Sequence, residues 1–335
     1  MPSSMMLVKI INNSDSGDLM EFQLNLSEIP LNLENSLECG QVFRWRRENS
    51  WWVAVIDNTV VKLKQEDNLL NVKSSSNNIN EKFIRKYLRI NDSLPDIFAS
   101  INRDQVMATA ITKLNGLRLI NQSPWECLAS FICATYKNII AIKTMISNIC
   151  CRFGKRIEFE GIIYYTFPEA EVVANADRQS LEGCGLGYRA KFLLETAKRI
   201  SSREVVLENL ESANYENVRE ILLGTTSNGK ILPGVGPKVA DCVMLFSLEK
   251  LDAFPIDVWI RRTIKKYYSH LFDNDSNHPI SNWENNSIGS AEYTTISKTM
   301  RKYFGSYAGY AQEYLFHYVR ESELVSFTSM SSKFS

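Results

Sequence analysis

The segment from Leu232 to Cys242 carries the residues of this sequence that are best suited to chemistry. Gly234 and Gly236 form a Gly-x-Gly turn, and glycine permits both a positive φ and the close approach of another backbone. Amide groups at the start of the helix that follows can hold a phosphate oxygen. Lys238 lies in the first turn of that helix, where its amine can act as a nucleophile. The spacing therefore favours a lysine nucleophile beside a bound phosphate backbone.

Asp257 is the expected partner of this lysine. It follows Phe254-Pro255-Ile256 and precedes Val258, a position that predicts a cap on the next helix. A capping carboxylate directed at Lys238 would also balance positive charge that develops during a reaction. Glycine turns and capping aspartates are common for purely structural reasons. Their combination with the lysine nevertheless favours an enzyme that acts on DNA.

A second glycine-rich segment imitates a nucleotide-binding loop. Gly224–Ile231 nearly matches the pattern G-x-x-x-x-G-K-[ST]. Ile231 replaces the hydroxyl that would bind Mg²⁺, and Pro233 disfavours a helix at that point. We therefore expect no nucleotide cofactor.

Composition limits the classes of protein that fit. The 335 residues carry 38 basic and 38 acidic side chains, which is a mild argument against nucleic-acid binding. Basic residues nevertheless cluster at Lys191–Arg199 and at 261–266, although solvated helix faces explain such clusters equally well. No apolar run is long enough for a membrane span, and the start lacks a signal-peptide pattern. We expect an intracellular protein located with genomic DNA.

Cysteine and histidine usage argues against structural metals and disulfides. The seven cysteines include no CxxC pair, and none follows Cys242, which excludes a zinc ribbon or a C-terminal iron–sulfur loop. His270, His278 and His317 lack metal-ligand spacing.

The pattern of apolar residues changes near residue 105. Residues 1–105 contain short aromatic and β-branched runs at 43–46, 51–56, 60–64 and 69–72, with a helix predicted at 80–90. Residues 106–325 show helical spacing, with helices predicted at 124–133, 139–153, 189–200, 215–223, 236–246, 258–268, 291–304 and 307–320. Residues 273–287 are predicted to form a surface loop, and 326–335 a frayed tail. The predicted fold is α+β, with an N-terminal twisted antiparallel sheet followed by a helical bundle.

Five spaced motifs resemble a known family, the 8-oxoguanine DNA glycosylases of the helix-hairpin-helix (HhH-GPD) superfamily. The resemblance covers about residues 25–320. It rests on the hairpin 232–242 with 254–257, and on Gly40–Trp45, Pro124–Cys133, Gly185–Ala190 and Tyr307–Gln312. It implies an N-terminal domain at 1–105 and a catalytic HhH-GPD region at 106–325.

The resemblance assigns the chemistry and the recognition of the base. It implies that Lys238 attacks C1′ of the damaged nucleotide and forms a Schiff base, with Asp257 stabilising the positive sugar. Cys242 and Phe316 would enclose the flipped base, and Gln312 would recognise its Watson–Crick edge.

The remaining assignments concern lesion identity and the DNA backbone. The Gly40 carbonyl would accept the N7–H of the oxidised purine. Tyr188 would wedge into the base stack, and Arg189 would contact the opposite cytosine. The hairpin residues Gly234, Val235 and Gly236 would bind the phosphate backbone.

Departures from the family pattern occur on the side of the opposite base. The family places Asn at the position of Tyr136, so either Tyr136 or Asn138 is expected to fill the gap left by the flipped base. Ala141 stands where the family often has an Arg, and Trp259 where it has a His. We therefore expect looser selectivity for the opposite base.

The resemblance implies a bifunctional DNA glycosylase/AP lyase of base excision repair. We expect a monomer that binds 8-oxoguanine-containing duplex DNA and needs no redox cofactor or catalytic metal, with a structural cation at the hairpin left open. Two alternatives remain: a non-catalytic DNA-binding module, and a glycosylase for another lesion. Retention of Lys238 and Asp257 argues against the first.

Overall fold

The computed structural model describes residues 19–224, 232–272 and 288–331, with side chains described to residue 322. Most of the segment that imitates a nucleotide-binding loop (225–231) and the predicted surface loop at 273–287 lie outside the described residues. The last helix continues to Ser331, past residue 326 where the sequence predicts a frayed tail to begin.

The N-terminal region folds into an antiparallel sheet. Within the described residues its strand order is β1-β5-β4-β3-β2, and a separate hairpin pairs β6 with β7. The strands are β1 (Met20–Asn25), β2 (Arg46–Glu48), β3 (Trp51–Ile56), β4 (Thr59–Glu66), β5 (Leu69–Ser74), β6 (Arg156–Phe159) and β7 (Ile162–Tyr165). Asn49, Asp57 and Asp67 lie in the tight turns with positive φ, which Asn and Asp tolerate better than most residues.

Helices cover the sheet and form the second region. The helices are α1 (Leu33–Glu38), α2 (Glu81–Tyr87), α3 (Leu94–Ile101), α4 (Gln105–Lys113), α5 (Pro124–Ala134), α6 (Ile139–Phe153), α7 (Ala170–Ala174), α8 (Arg178–Leu181), α9 (Arg189–Ser201), α10 (Tyr215–Leu223), α11 (Pro237–Ser247), α12 (Val258–Tyr267), α13 (Ser290–Phe304) and α14 (Ala308–Ser331). The predicted α+β architecture is confirmed.

Helix α11 lies at the centre of the bundle. All its residues from Val239 to Ser247 are buried, and Phe246 stacks on Phe131 of α5 with ring centroids 5.6 Å apart. Because the residues that directly follow Lys238 on α11 are buried, the core holds the helix turn that carries Lys238.

A buried ion pair joins the sheet to the bundle. Arg44 bonds Glu126 of α5 at 3.2 Å, and it also donates to the carbonyls of Val55 (2.9 Å) and Tyr165 (2.5 Å). Satisfying the guanidinium with several acceptors offsets the cost of removing its charge from water. Arg44 therefore holds β3, α5 and β7 together.

Two local predictions differ from the structure. The run 43–46 is predicted as a strand, but β2 begins only at Arg46, since Phe43 turns away from the sheet and packs on Phe131 at 5.6 Å. Strand β1 is not predicted from the sequence, and it forms by pairing with β5 about fifty residues later, from Met20 with Ser74 onward. No helix in the described part of the chain is long and apolar enough to cross a membrane.

Candidate active site

The two glycines of the hairpin have different environments. Gly234 has φ +80°, and a Cβ there would lie 2.9 Å from Cβ of Phe192, so any larger residue would strain both backbone and packing. Gly236 has extended backbone, and no described atom lies within 4 Å of the position of a Cβ. Gly236 also begins α11 without a side-chain cap. The hairpin thus leaves open space in front of free helix N–H groups, which suits a phosphate oxygen.

Lys238 is half-buried beside an aromatic ring. Its Nζ lies 4.8 Å from the ring centroid of Phe131, a distance typical of a cation–π contact. Among the described residues, no carboxylate forms an ion pair with Lys238 within 4.0 Å. The amine is therefore held by packing rather than by a salt bridge.

Asp257 caps helix α12, as predicted. Its Oδ1 accepts a hydrogen bond from the Ile260 N–H at 2.8 Å. Burial raises the pKa of the Asp257 carboxyl group, while the Ile260 N–H and the charge of Lys238 act in the opposite direction. The carboxylate lies close enough to Lys238 for the two charges to interact.

A buried hydrogen-bond network connects the helix of Lys238 with the segment of Asp257. Asp241, fully buried on α11, accepts from the hydroxyls of Tyr215 and Tyr293, both at 2.7 Å. The Tyr293 hydroxyl in turn accepts from the Ile256 N–H at 3.2 Å, next to Asp257. Burial raises the pKa of Asp241 to about 6. The sequence analysis missed this network, although an acid in the otherwise apolar run of α11 was a usable signal.

The residues predicted to hold the base come from the loop that follows α1, from α11 and from α14. Cys242 is buried, which raises the pKa of its thiol to about 12 and keeps it neutral. Gly40 has φ +110°, and a Cβ there would lie 3.5 Å from Cε1 of Phe316 and 3.1 Å from Cδ1 of Ile139. Gly40 and Phe316 therefore face one another across a narrow gap that a side chain at Gly40 would close.

Gln312 and its neighbour Glu313 bring polar atoms into this region. Gln312 is 5% exposed and its Oε1 has no hydrogen-bond partner among the described residues, which is unusual for a buried amide. Glu313 is 3% exposed, one of its carboxyl oxygens also lacks a described partner, and burial raises its pKa to about 7. Its place directly after Gln312 was the only sequence signal for Glu313.

Arg189 is committed to backbone carbonyls. It is buried, and it donates from Nε to the Thr135 carbonyl at 3.0 Å and from Nη1 to the Leu186 carbonyl at 3.4 Å. Its guanidinium lies 4.4 Å from the ring centroid of Tyr188, which is 52% exposed. Arg189 therefore joins the Thr135 turn to the exposed Tyr188.

Tyr136 and Asn138, the two candidates for filling the gap, have different environments. Tyr136 is 83% exposed and has φ +54°, a conformation in which Asn is favoured over most residues. The Asn138 side chain caps α6 by accepting from the Ala141 N–H at 2.8 Å. Only Tyr136 has a side chain without a structural role.

The described part of the chain does not bring potential metal ligands together. Within the ranges 19–224, 232–272 and 288–322, no group of three or more His, Cys, Asp or Glu side chains could hold a metal ion. A structural cation on the hairpin carbonyls stays a prediction.

Comparison with known proteins covers both regions. Residues 23–128 match the family described as "8-oxoguanine DNA glycosylase, N-terminal domain", and residues 129–279 match "HhH-GPD superfamily base excision DNA repair protein". An N-glycosylase/DNA lyase of Saccharomyces cerevisiae is 31% identical over 329 residues, which cover 88% of this chain and 85% of that protein. A probable N-glycosylase/DNA lyase of Methanothermobacter thermautotrophicus is 31% identical over 68% of this chain and 71% of its own.

Solved structures agree with these sequence matches. The 8-oxoguanine glycosylase/lyase of Clostridium acetobutylicum in its apo form aligns with a TM-score of 0.75 and 30% identity, over 93% of this chain and all of that chain. Its complex with double-stranded DNA containing cytosine opposite 8-oxoguanine aligns with a TM-score of 0.77 and 29% identity, over 95% of this chain and 99% of that chain. Since these matches extend along both regions, the chain belongs to the 8-oxoguanine DNA glycosylase family of the HhH-GPD superfamily.

Proposed function

We propose that this protein excises 8-oxoguanine from duplex DNA and then cleaves the strand at the resulting abasic site. The observation that carries the proposal is the placement of Lys238 and Asp257 beside a hairpin whose Gly236 faces open space. A module that only binds DNA would need the hairpin but neither the amine nor the carboxylate.

Lys238 is the proposed nucleophile. Its Nζ forms a bond to C1′ while the bond from C1′ to N9 breaks, and the departing base takes the electron pair and then a proton. Opening of the sugar ring gives a Schiff base. Loss of a proton from C2′ then expels the 3′ phosphate by β-elimination, and water releases the lysine. The carboxylate of Asp257 stabilises the positive charge that develops on the sugar.

The flipped base is proposed to lie between Phe316 and Cys242. A neutral thiol and an aromatic ring provide two flat contacts that offset the few kcal/mol needed to unstack a base. The unpartnered Oε1 of Gln312 is a suitable acceptor for the Watson–Crick edge. The Gly40 carbonyl would accept N7–H of the oxidised purine, whereas guanine would present a second acceptor there.

On the DNA side, the hairpin residues Gly234, Val235 and Gly236 are proposed to bind the phosphate backbone. Tyr188 would enter the stack near the lesion. We assign the gap-filling role to Tyr136, since the amide of Asn138 is occupied as a helix cap. Stacking by tyrosine does not distinguish one opposite base from another.

Arg189 is proposed to contact the opposite base only by giving up part of its bonding to Thr135. This cost, together with Ala141 in place of an arginine, leads us to propose reduced preference for cytosine. We further propose that the protein acts as a monomer and is located with genomic DNA.

The test is a panel of duplexes with 8-oxoguanine opposite C, T, G or A, and a matched duplex with an unmodified guanine. Release of the free base and cleavage of the strand are measured separately under single-turnover conditions. The proposal predicts both activities on the oxidised duplexes and none on guanine, with a preference for C that is weak. Binding without release of any base would instead support a non-catalytic module.

A further inference from the structure

Arg320 holds the two residues that precede Gly40. Nη1 of Arg320 donates to the Cys39 carbonyl at 2.7 Å, and Nη2 donates to the Glu38 carbonyl at 3.1 Å. These carbonyls lie at the end of α1, where the last backbone acceptors lack partners within the helix. A cation is favoured at this end of a helix, because the peptide dipoles place partial negative charge there.

The following residue, Gln41, anchors the other side of Gly40. Its Nε2 donates to the carbonyls of Ser36 and Arg118, both at 2.8 Å, and its Oε1 accepts from the Ile120 N–H at 2.8 Å. The Gln41 carbonyl accepts from Nε2 of Gln122 at 2.8 Å. Gly40 thus lies between Cys39, which is held by Arg320, and Gln41, which is held by its own side chain and by Gln122. Arg320 comes from α14, the helix that also carries Gln312 and Phe316.

Helix α14 brings Arg320 onto the same face as those contacts. Gln312, Phe316 and Arg320 follow one another at intervals of four residues, which places them in a row along the helix. The Arg320 guanidinium lies 5.2 Å from the ring centroid of Phe316, and its Nη1 lies 3.1 Å from the position of a Cβ on Gly40. Arg320 therefore contacts both the residue that would recognise N7–H and the ring that would cover the base.

We propose that Arg320 is a positioning residue that determines lesion specificity by fixing the Gly40 carbonyl where it meets N7–H of the oxidised purine. This inference rests on the proposed function. Discrimination by a single carbonyl depends on its location, since a shift of about 1 Å in a reacting or recognising group can cost up to ~100-fold in rate. The planar fork of arginine holds two carbonyls at once, which the single ammonium group of lysine cannot do with the same geometry.

Cleavage of a preformed abasic site distinguishes a loss of base recognition from a general loss of stability. A loss of stability would lower both excision and abasic-site cleavage, whereas a loss of base recognition would lower excision alone. That reaction uses Lys238 but has no base to recognise, so it does not require the Gly40 carbonyl. The series Arg320→Lys, Arg320→Gln and Arg320→Met removes the donors stepwise. We expect excision of 8-oxoguanine opposite C to fall in that order, reaching about 10- to 100-fold for methionine, while abasic-site cleavage stays within about twofold.

The matched control is Arg301→Met. Arg301 also donates to a backbone carbonyl, that of Asp252 at 3.2 Å, and its guanidinium also contacts an aromatic ring, that of Tyr215, but none of its partners is a proposed base contact. This variant should change excision and abasic-site cleavage in equal proportion. Thermal unfolding is measured for every variant, and the folded members of the series decide the result if methionine prevents folding.

An unchanged rate of 8-oxoguanine excision in the folded Arg320→Gln variant would overturn the inference. A parallel loss of both activities would do the same, because it would indicate a structural role alone. If wild-type protein cleaves abasic sites but does not excise 8-oxoguanine, the proposed function itself has failed, and this outcome is distinct from the other two.

Discussion

Around Lys238 and Asp257 the helices are joined by buried hydrogen bonds. Around Tyr136 and Tyr188, in contrast, the aromatic rings are exposed, and Arg189 alone is seen to join the turns that carry them in the described residues. Asp241 and Tyr293 form continuous contacts from α11 to the segment of Asp257. On the other side, the side chain of Tyr136 is 83% exposed, so it contributes little to the packing of the protein. The side of Lys238 and Asp257, which is the proposed catalytic side, is preorganised by the protein. The side of Tyr136 and Tyr188, called here the strand-facing side, has exposed surfaces that bound DNA is proposed to cover.

The largest expected effect is that of Asp257→Asn on the catalytic side. Asparagine caps helices as well as aspartate does, so stability should change little. Removing the negative charge beside the developing sugar cation should lower single-turnover excision by roughly 10²- to 10³-fold. Thermal unfolding run beside the kinetics checks this separation, and an activity loss explained by unfolding would contradict it.

Tyr293→Phe tests whether the buried network positions the catalytic pair. The change leaves an Asp241 oxygen and the Ile256 N–H without their partner, which should cost about 1–3 kcal/mol in the free energy of unfolding. We expect excision to slow by about 10-fold, since Asp257 is displaced relative to Lys238.

Tyr310→Phe is the control for this change. The buried Tyr310 hydroxyl donates a 2.7 Å hydrogen bond to Asp92, which is not part of the network that connects Lys238 with Asp257. It should lose comparable stability in urea unfolding without slowing excision. Equal slowing by both variants would show that the network has no special role.

Glu313→Gln should make stability less dependent on pH. Burial raises the pKa of Glu313 from 4.5 to about 7, so the folded protein holds this proton more tightly than the unfolded chain. Stability contributed by the protonated group is complete below pH 4.5 and is lost as pH rises to about 7, by on the order of 1–3 kcal/mol.

Urea unfolding at pH 5 and pH 8 measures the effect. The difference in free energy of unfolding between Glu313→Gln and the wild type should favour the variant more at pH 8 than at pH 5. The variant Glu171→Gln, at an exposed position, is the control for the loss of a carboxylate. The groups that interact with Glu313 are Cys39, Arg320, Asp257 and Lys238. The same difference between variant and wild type at both pH values would argue against the assignment.

Tyr136→Asn should have the smallest effect and concerns the strand-facing side. Because asparagine tolerates the positive φ of this position, the variant should be more stable by up to about 1 kcal/mol. An amide that can form hydrogen bonds should also sharpen the preference for cytosine by several-fold, which excision rates opposite C and A would reveal. A loss of preference would contradict the stacking role of Tyr136.

Prediction from sequence succeeded where a residue acts on the backbone of its own segment. The hairpin glycines, the cap at Asp257 and the helices on both sides follow from local spacing, and the structure contains them. Predictions failed where a contact joins distant segments. Strand β1 pairs with β5, and Arg320 bonds carbonyls about 280 residues earlier, so no local pattern indicates either contact.

The three-dimensional surroundings of Arg189 and Asn138 also show bonds that the sequence does not indicate. Arg189 was predicted to contact DNA because of its motif, but its burial against Thr135 is visible only in three dimensions. Asn138 is one of the two candidates for the gap, and the sequence does not indicate that its side chain caps α6. In both cases the residue type is compatible with a structural and a DNA-binding role, and the structure shows the structural bonds.

The most direct test of the central claim is borohydride trapping on a duplex with 8-oxoguanine opposite C, using wild-type protein and Lys238→Gln in parallel. The account predicts a covalent protein–DNA adduct with the wild type and none with the variant, although the variant still binds the duplex. A trapped adduct with Lys238→Gln would assign the Schiff base to another amine. Absence of an adduct and of base release with the folded wild-type protein would contradict the proposed catalysis.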